Sequence, residues 1–233
     1  DEDERFYYYA DIRGFTVWCE LPSNHWFSDE ATKNITAEWL DIVTQNYNHP
    51  SLVTWVLFNE SWGVRGIASN PAQSNLATGL YFMTKSMDIM RPVVSNDGWS
   101  HAKSDILTIH HYEQNSEWLY NMYDNRIKLT DGDTWNSQIL PFAEGYKYEG
   151  QPIIFSEFGG THYAQSEGWG YGAAVHNDEE FLERFGSLMD AVKKMNISGY
   201  CYTQLTDVEQ ETNGLLTDER MPKVPVEEIA KRV

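Results

Sequence analysis

The chain has 233 residues, 41% hydrophobic and 14% aromatic, enough for one large domain with a substantial core. A formal charge of −18 and a pI of about 4.6 repel nucleic acid and anionic lipid, which excludes both as main partners. No apolar run approaches the ~20 residues that a membrane span requires, so no membrane partner is expected.

The opening DEDERFYYYAD reads neither as a signal peptide nor as a native beginning. FTVWCEL (15–21) is predicted as an apolar strand. A helix follows over 32–47, where Ile35, Trp39, Ile42, Val43 and Asn46 keep helical spacing and His49-Pro50 closes the segment. LVTWVLF (52–58) is the next strand. The spacing then predicts a helix over 74–90 with Leu76, Leu80, Met83, Met87 and Met90 on one stripe, ended by Arg91-Pro92. PVVSND (92–97) and DILTIHHY (105–112) read as two further strands.

Residues 113–150 are polar, aromatic and turn-rich without a period, as befits a functional excursion or short helices. PIIFSEF (152–158) is a strand with the habit of the second one, an apolar run ending in glutamate. A Gly-rich loop (159–176) precedes a helix over 178–195, whose stripe is Phe181, Leu182, Phe185, Leu188, Met189, Val192 and Met195. SGYCYTQL (198–205) is the last strand, and 226–233 a final short helix. Cys19 and Cys201 sit inside apolar strands and read as free buried thiols rather than a disulfide, leaning towards a cytoplasmic setting.

Six strands alternate with helices, and their apolar runs are continuous, as in parallel sheets covered on both faces. A (β/α)8 TIM barrel takes ~250 residues and eight strands. The chain therefore reads as one α/β catalytic domain over residues 1–233: an N-terminally truncated TIM barrel retaining strands three to eight.

Barrel enzymes carry their chemistry at the C-terminal ends of the strands. Those ends hold Glu20, then Asn59 with Glu60, then His110-His111-Tyr112, then Glu157, and finally Gln204 with Asp207. Carboxylates and amides bind sugar hydroxyls and indoles stack on pyranose faces, so Trp18, Trp62, Trp99 and Trp169 are stacking candidates. Trp62 and Trp169 stand out because glycine-containing loops carry them. Two carboxylates suffice to cleave a glycosidic bond, and ~5–5.5 Å between them gives the retaining mechanism. Glu60 and Glu157 are three strands apart, and Asn59 is placed to hold a sugar 2-hydroxyl. His110 and His111 alternate to opposite faces, one a pocket wall and one packed, which argues against a metal pair. Glu20 is either a substrate contact or a structural partner.

NHPSLVTWVLFNESWG and PIIFSEFGG resemble the acid/base and nucleophile motifs of glycoside hydrolase family 2. RFYYYADIRGFTVWCELP resembles the helix after strand two with strand three, and GYCYTQLTDVEQETNGLLTDERMPK resembles the segment that closes the barrel. The resemblance implies a retaining exo-β-glycosidase, with Glu60 as general acid/base and Glu157 as nucleophile. Asn59 would meet the 2-hydroxyl and Tyr112 would orient Glu157. Upstream jelly-roll and immunoglobulin-like domains, a carbohydrate substrate, and neither cofactor nor metal are expected.

Departures bear on the sugar. The usual strand-eight Trp has no counterpart in YCYTQLTD, so Tyr202 or Gln204 lines that wall, and His111 replaces a frequent Asp. The Asn-x-Lys pair that reads the carboxylate of a glucuronide is here Glu211-Thr212-Asn213, without lysine. A β-galactosidase-like activity is therefore expected. β-Glucuronidase, β-mannosidase and a non-catalytic carbohydrate-binding barrel are the alternatives.

Overall fold

The computed structural model describes residues 2–123, 140–164 and 168–233. The described residues form two compact units, one of 2–108 with 140–153 and one of 109–123 with 154–164 and 168–233.

The first unit opens with α1 (Glu4–Arg13), where Asp3 caps by accepting from the Arg5 amide at 2.9 Å. Next come β1 (Val17–Glu20), α2 (Asp29–Asn46), β2 (Leu52–Val56), α3 (Pro71–Met87) and β3 (Val93–Val94). The strands are parallel in the order β1-β2-β3, with Cys19 beside Trp55 and Glu20 beside Val56. Ser28 caps α2, its hydroxyl accepting from the Ala31 amide at 3.0 Å, and Asp29 and Glu30 suit the positive end of the helix. Its buried stripe is Ile35, Trp39, Ile42, Val43 and Asn46, as the spacing predicts.

The core of this unit centres on two buried indoles, Trp39 and Trp55, meeting edge to face at 5.6 Å. A buried indole N–H needs an acceptor. Trp39 donates to the Thr84 hydroxyl at 2.7 Å and Trp55 to the Asp88 carboxylate at 3.0 Å. Burial alone raises a carboxyl pKa. At Asp88 the Arg91 guanidinium (2.6 Å), the Trp55 N–H and two backbone amides outweigh it and hold the pKa at about 2. Arg91 also donates to the carbonyls of Leu52 and His49, tying the start of β2 to the end of α3.

α3 departs from its predicted stripe. Asn70 and Pro71 start it three residues early, and Asp88 ends it by accepting from the Met90 and Arg91 amides. The buried face is Gln73, Ser74, Ala77, Leu80, Tyr81 and Thr84, and Met90 lies outside the helix, exposed.

The second unit contains β4 (Leu107–His111, crossed by the unit boundary), α4 (Ser116–Tyr123), β5 (Ile153–Gly159), β6 (Thr161–Tyr163) and β7 (Tyr171–Val175). It ends with α5 (Asp178–Lys194), β8 (Gly199–Thr203) and α6 (Val226–Ala230). One sheet has the order β4-β5-β8, with β5 and β8 parallel, and β6 pairs with β7. Asn177 caps α5, and its Phe181, Phe185, Leu188 and Val192 are buried. Tyr163 stacks on Phe181 at 5.4 Å, while Phe185 and Phe158 meet Tyr202 at 5.0 and 5.6 Å, so aromatic rings fill the space between helix and sheet.

Three expectations change here. The Gly-rich loop contains β6 and β7, whereas α4 is a short helix of the kind expected in the aperiodic stretch; residues 124–139 and 165–167 lie outside the described residues. Among the described residues the strands form sheets of three, three and two, with no ladder closing them into a ring. β8 is not covered on both faces: Tyr200 and Cys201 are exposed. Cys201 is thus not the buried thiol its apolar run suggests, whereas Cys19 is.

Candidate functional site

In the first unit the reactive end of β2 is shaped by the backbone. Asn59 bridges Asp97, the Asp97 amide donates to the Phe58 carbonyl at 2.6 Å, and the Glu60 amide donates to the Asp97 carbonyl at 3.0 Å. Directly after these bonds Glu60 and Ser61 turn left-handed, with φ of 48° and 59°. Each such non-glycine residue costs on the order of 1 kcal/mol or more and persists only when its surroundings fix it. Asn96 supplies that fixation. Its Oδ1 accepts from the Ser61 amide at 2.8 Å, and its Nδ2 donates to the Ser61 hydroxyl and the Ser100 carbonyl at 3.0 and 2.9 Å, all buried. The strand is stopped and Glu60 is turned out of its line, half-buried.

Beside it, Asn59 Oδ1 is buried with no hydrogen-bond partner among the described residues. An orphaned buried acceptor is costly until a donor such as a ligand hydroxyl reaches it. Glu20 ends the adjacent parallel strand, half-buried next to Val56. Trp18 and Trp99 are half-buried, whereas Trp62 is 40% exposed. The Arg65 guanidinium lies 4.5 Å over the Trp62 ring and 6.0 Å from that of Trp26, and His25 meets Trp62 edge-on at 6.2 Å. A Cβ on Gly63 would come within 2.8 Å of the Asn24 carbonyl oxygen, so the loops after β1 and β2 touch there.

In the second unit Glu157 lies where the β5–β8 register slips, between Phe155 and Phe158. Such an irregularity inside a strand re-aims a side chain. The Tyr112 hydroxyl donates to Glu157 Oε2, and His110 Nδ1 is 3.5 Å from the same oxygen, its ring buried. Burial, reinforced by the Glu157 charge and hydrogen bond, pushes the Tyr112 phenol far above its ordinary value. It is therefore a donor throughout the working pH range. The ring of Tyr112 is stacked on Tyr171 at 3.7 Å and 5°. Gln114 donates to the carbonyls of Tyr112 and Gly159 and accepts from Thr161, fixing the chain after β4.

His111 points away from this group. It bonds Tyr123 at 2.7 Å and meets Trp118 edge-on, and burial lowers its pKa. Trp169, 48% exposed, stands edge-on to Tyr171 at 5.8 Å, its backbone bonded to Gln210 and Thr212. Gln204 follows a cis peptide at the end of β8 and donates to Asn213 Oδ1 at 2.7 Å; Asn213 donates to Glu211 at 3.0 Å. Asp207, also at that strand end, is occupied otherwise: it accepts from the buried Lys223 at 2.6 Å and from the Gly214 amide.

Residue type and strand position give no sign of Gln114, on the loop after β4, or of Tyr171, which opens β7; Asn213 belongs to the Glu211-Thr212-Asn213 stretch. Arg65 lies five residues past Glu60 in the same turn, and its signal is a cation in an acidic chain.

A family model described as "Glycosyl hydrolases family 2, TIM barrel domain" matches residues 3–233. Two curated relatives are a beta-glucuronidase of Bacteroides fragilis, 30% identical over 94 residues (36% of this chain, 13% of the relative), and a putative beta-glucuronidase of Formosa agariphila. The second is 38% identical over 63 residues, 26% of this chain and 8% of the relative. Among solved structures, a GH2 beta-galacturonidase from Eisenbergiella tayi bound to galacturonate has a TM-score of 0.71 at 18% identity, covering 99% of this chain and 43% of that one. A beta-glucuronidase from an uncultured Clostridium species also has a TM-score of 0.71, at 18% identity, covering 98% and 41%. At those identities the likeness is one of fold. The chain spans less than half of each solved relative and about an eighth or less of the curated ones.

Proposed function

We propose that this chain, which belongs to glycoside hydrolase family 2 as its TIM barrel domain, carries the catalytic residues of a retaining exo-β-glycosidase. The observation that carries the reading is Glu157 at the register shift within β5, held by a phenol that stays protonated.

In the first step Glu157 attacks the anomeric carbon while Glu60 gives its proton to the glycosidic oxygen, which departs as an alcohol. The product is a sugar ester of Glu157 with inverted configuration. In the second step Glu60, now a carboxylate, takes a proton from water, and the resulting hydroxide displaces Glu157, restoring the original configuration. Asn59 Oδ1 takes the 2-hydroxyl proton as a hydrogen bond, and Trp169, His110, Gln204 and Glu20 are sugar contacts. Asp207 is left out because Lys223 already occupies it.

A neutral hexose, best a β-galactoside, is the proposed sugar. Gln204, Asn213 and Glu211 form an array of hydroxyl-binding groups whose charged member is an anion, and the one lysine bonded nearby is neutralised by Asp207. The names of the two curated relatives favour a uronide instead. Comparing kcat/KM of the intact parent enzyme on aryl β-galactoside and aryl β-glucuronide decides between them; the first is expected to be larger. Binding of sugar with no turnover of either would point to a binding module.

The short coverage of the relatives supports a parent chain in which upstream sequence supplies the first two strands. Jelly-roll and immunoglobulin-like domains would precede them. Separate expression of this segment should then give aggregation or no turnover, since unpaired strand edges associate.

A further inference from the structure

Trp26 and Trp62 are large, exposed indoles on the loops that follow β1 and β2, and the Arg65 guanidinium lies against both. Their placement next to the turn that carries Glu60 is fixed. The Trp62 amide donates to the Asn59 carbonyl at 2.9 Å, the Val64 amide donates to the Ser61 carbonyl at 3.0 Å, and Gly63 abuts Asn24. Face contact with an indole leaves the N–H rim of a guanidinium pointing outward, where it matches the two oxygens of a carboxylate. Among the described residues Arg65 has no carboxylate partner, in a chain of net charge −18. The indoles offer flat apolar faces and Arg65 a forked cation beside them.

We propose that Trp26, Trp62 and Arg65 form the leaving-group side of the substrate site, and that they select a flat leaving group bearing a carboxylate. The inference rests on the glycosidase reading, in which Glu60 protonates the leaving-group oxygen. The group that departs must then lie beside the turn carrying Glu60, and Trp62 is two residues from it. The sugar-facing residues read a neutral ring, and this patch reads the charge of what is attached to it.

The test uses the intact parent enzyme and two glycosides of one sugar, with 4-carboxyphenyl and 4-carbamoylphenyl leaving groups. The ratio of their kcat/KM values cancels any general loss of activity and, between variants, the intrinsic difference in leaving ability. Arg65→Met should lower the carboxylate-to-amide ratio by roughly tenfold or more, the worth of a hydrogen bond to a charged group. Arg65→Lys, which keeps the charge and loses the fork, should lie between. Added salt should lower the ratio in the wild type and not in Arg65→Met. Turnover of both glycosides with a ratio that Arg65→Met leaves unchanged would overturn this inference alone; turnover of neither by the wild type would overturn the glycosidase reading as well.

Discussion

The two glutamates assigned to catalysis are set by different means. Glu60 departs from β2 through two left-handed residues, and buried bonds from Asn96 to Ser61 and Ser100 fix the turn. Glu157 stays within β5 at a slip of register, and Tyr112 and His110 grip its carboxylate directly. The first device sets where the backbone puts a side chain; the second sets the side chain itself. The difference suits the assigned roles. A proton donor that also serves as base addresses two oxygens in turn, the leaving group and a water, whereas a nucleophile meets one carbon.

The sharpest way to break this comparison is to exchange the outcomes of two substitutions. Glu157→Ala should lose several orders of magnitude on every substrate, because no nucleophile remains. Glu60→Ala should lose about 10²–10⁴-fold, and much less in the first step with an acidic phenol leaving group. Azide should then rescue Glu60→Ala to a β-glycosyl azide and Glu157→Ala to the α-anomer. The anomeric configuration, read by NMR, reverses the assignment if the two products are swapped.

A smaller effect sharpens the second device. Tyr112→Phe removes the donor on Glu157 and should lower kcat by about 10²-fold, a typical cost for one donor at a developing charge. Phe keeps the stack on Tyr171, so steady-state kinetics beside an unchanged near-ultraviolet circular dichroism spectrum separate the hydroxyl from the ring.

The smallest effect concerns the support of the first unit. Asp88 has a pKa of about 2 in the fold against 3.8 for the free group, so its ionised form favours the folded state. That stability is fully present above pH 4 and is lost as pH falls from about 4 to about 2. A shift of this size corresponds to about 2.5 kcal/mol. Asp88→Asn should therefore lower stability by about that amount at pH 7 and by little near pH 2, as measured by urea unfolding followed by tryptophan fluorescence. An equal loss at both pH values would sink the assignment.

The features legible beforehand depend on pattern along the chain. The stripe of α2 is one, because every third or fourth residue faces the core; the glutamates at the ends of apolar runs are another. The features that escaped depend on neighbours across space. GYCYTQL reads as a covered strand, yet Tyr200 and Cys201 are exposed, which no pattern along the chain announces. The α3 stripe was misplaced because Asn70-Pro71 and Asp88, rather than hydrophobic spacing, set its ends. Glu60 and Ser61 carry no glycine to signal their left-handed turn, since Asn96, 35 residues on, holds it. Tyr171 is invisible as a partner of Tyr112 until β6 and β7 bring the loop back.

Gly160 has a consequence for how this loop can change over generations. Its φ is +62°, and a Cβ there would lie 2.6 Å from the Tyr171 ring and 3.1 Å from that of Tyr112. Any replacement therefore displaces the stack, and through Tyr112 the grip on Glu157. The position is closed to neutral drift, because even alanine, the mildest substitution, is felt at the Glu157 carboxylate. Descendants of this sequence can vary the loop by inserting residues farther along it, while Gly160 stays fixed beneath the ring pair.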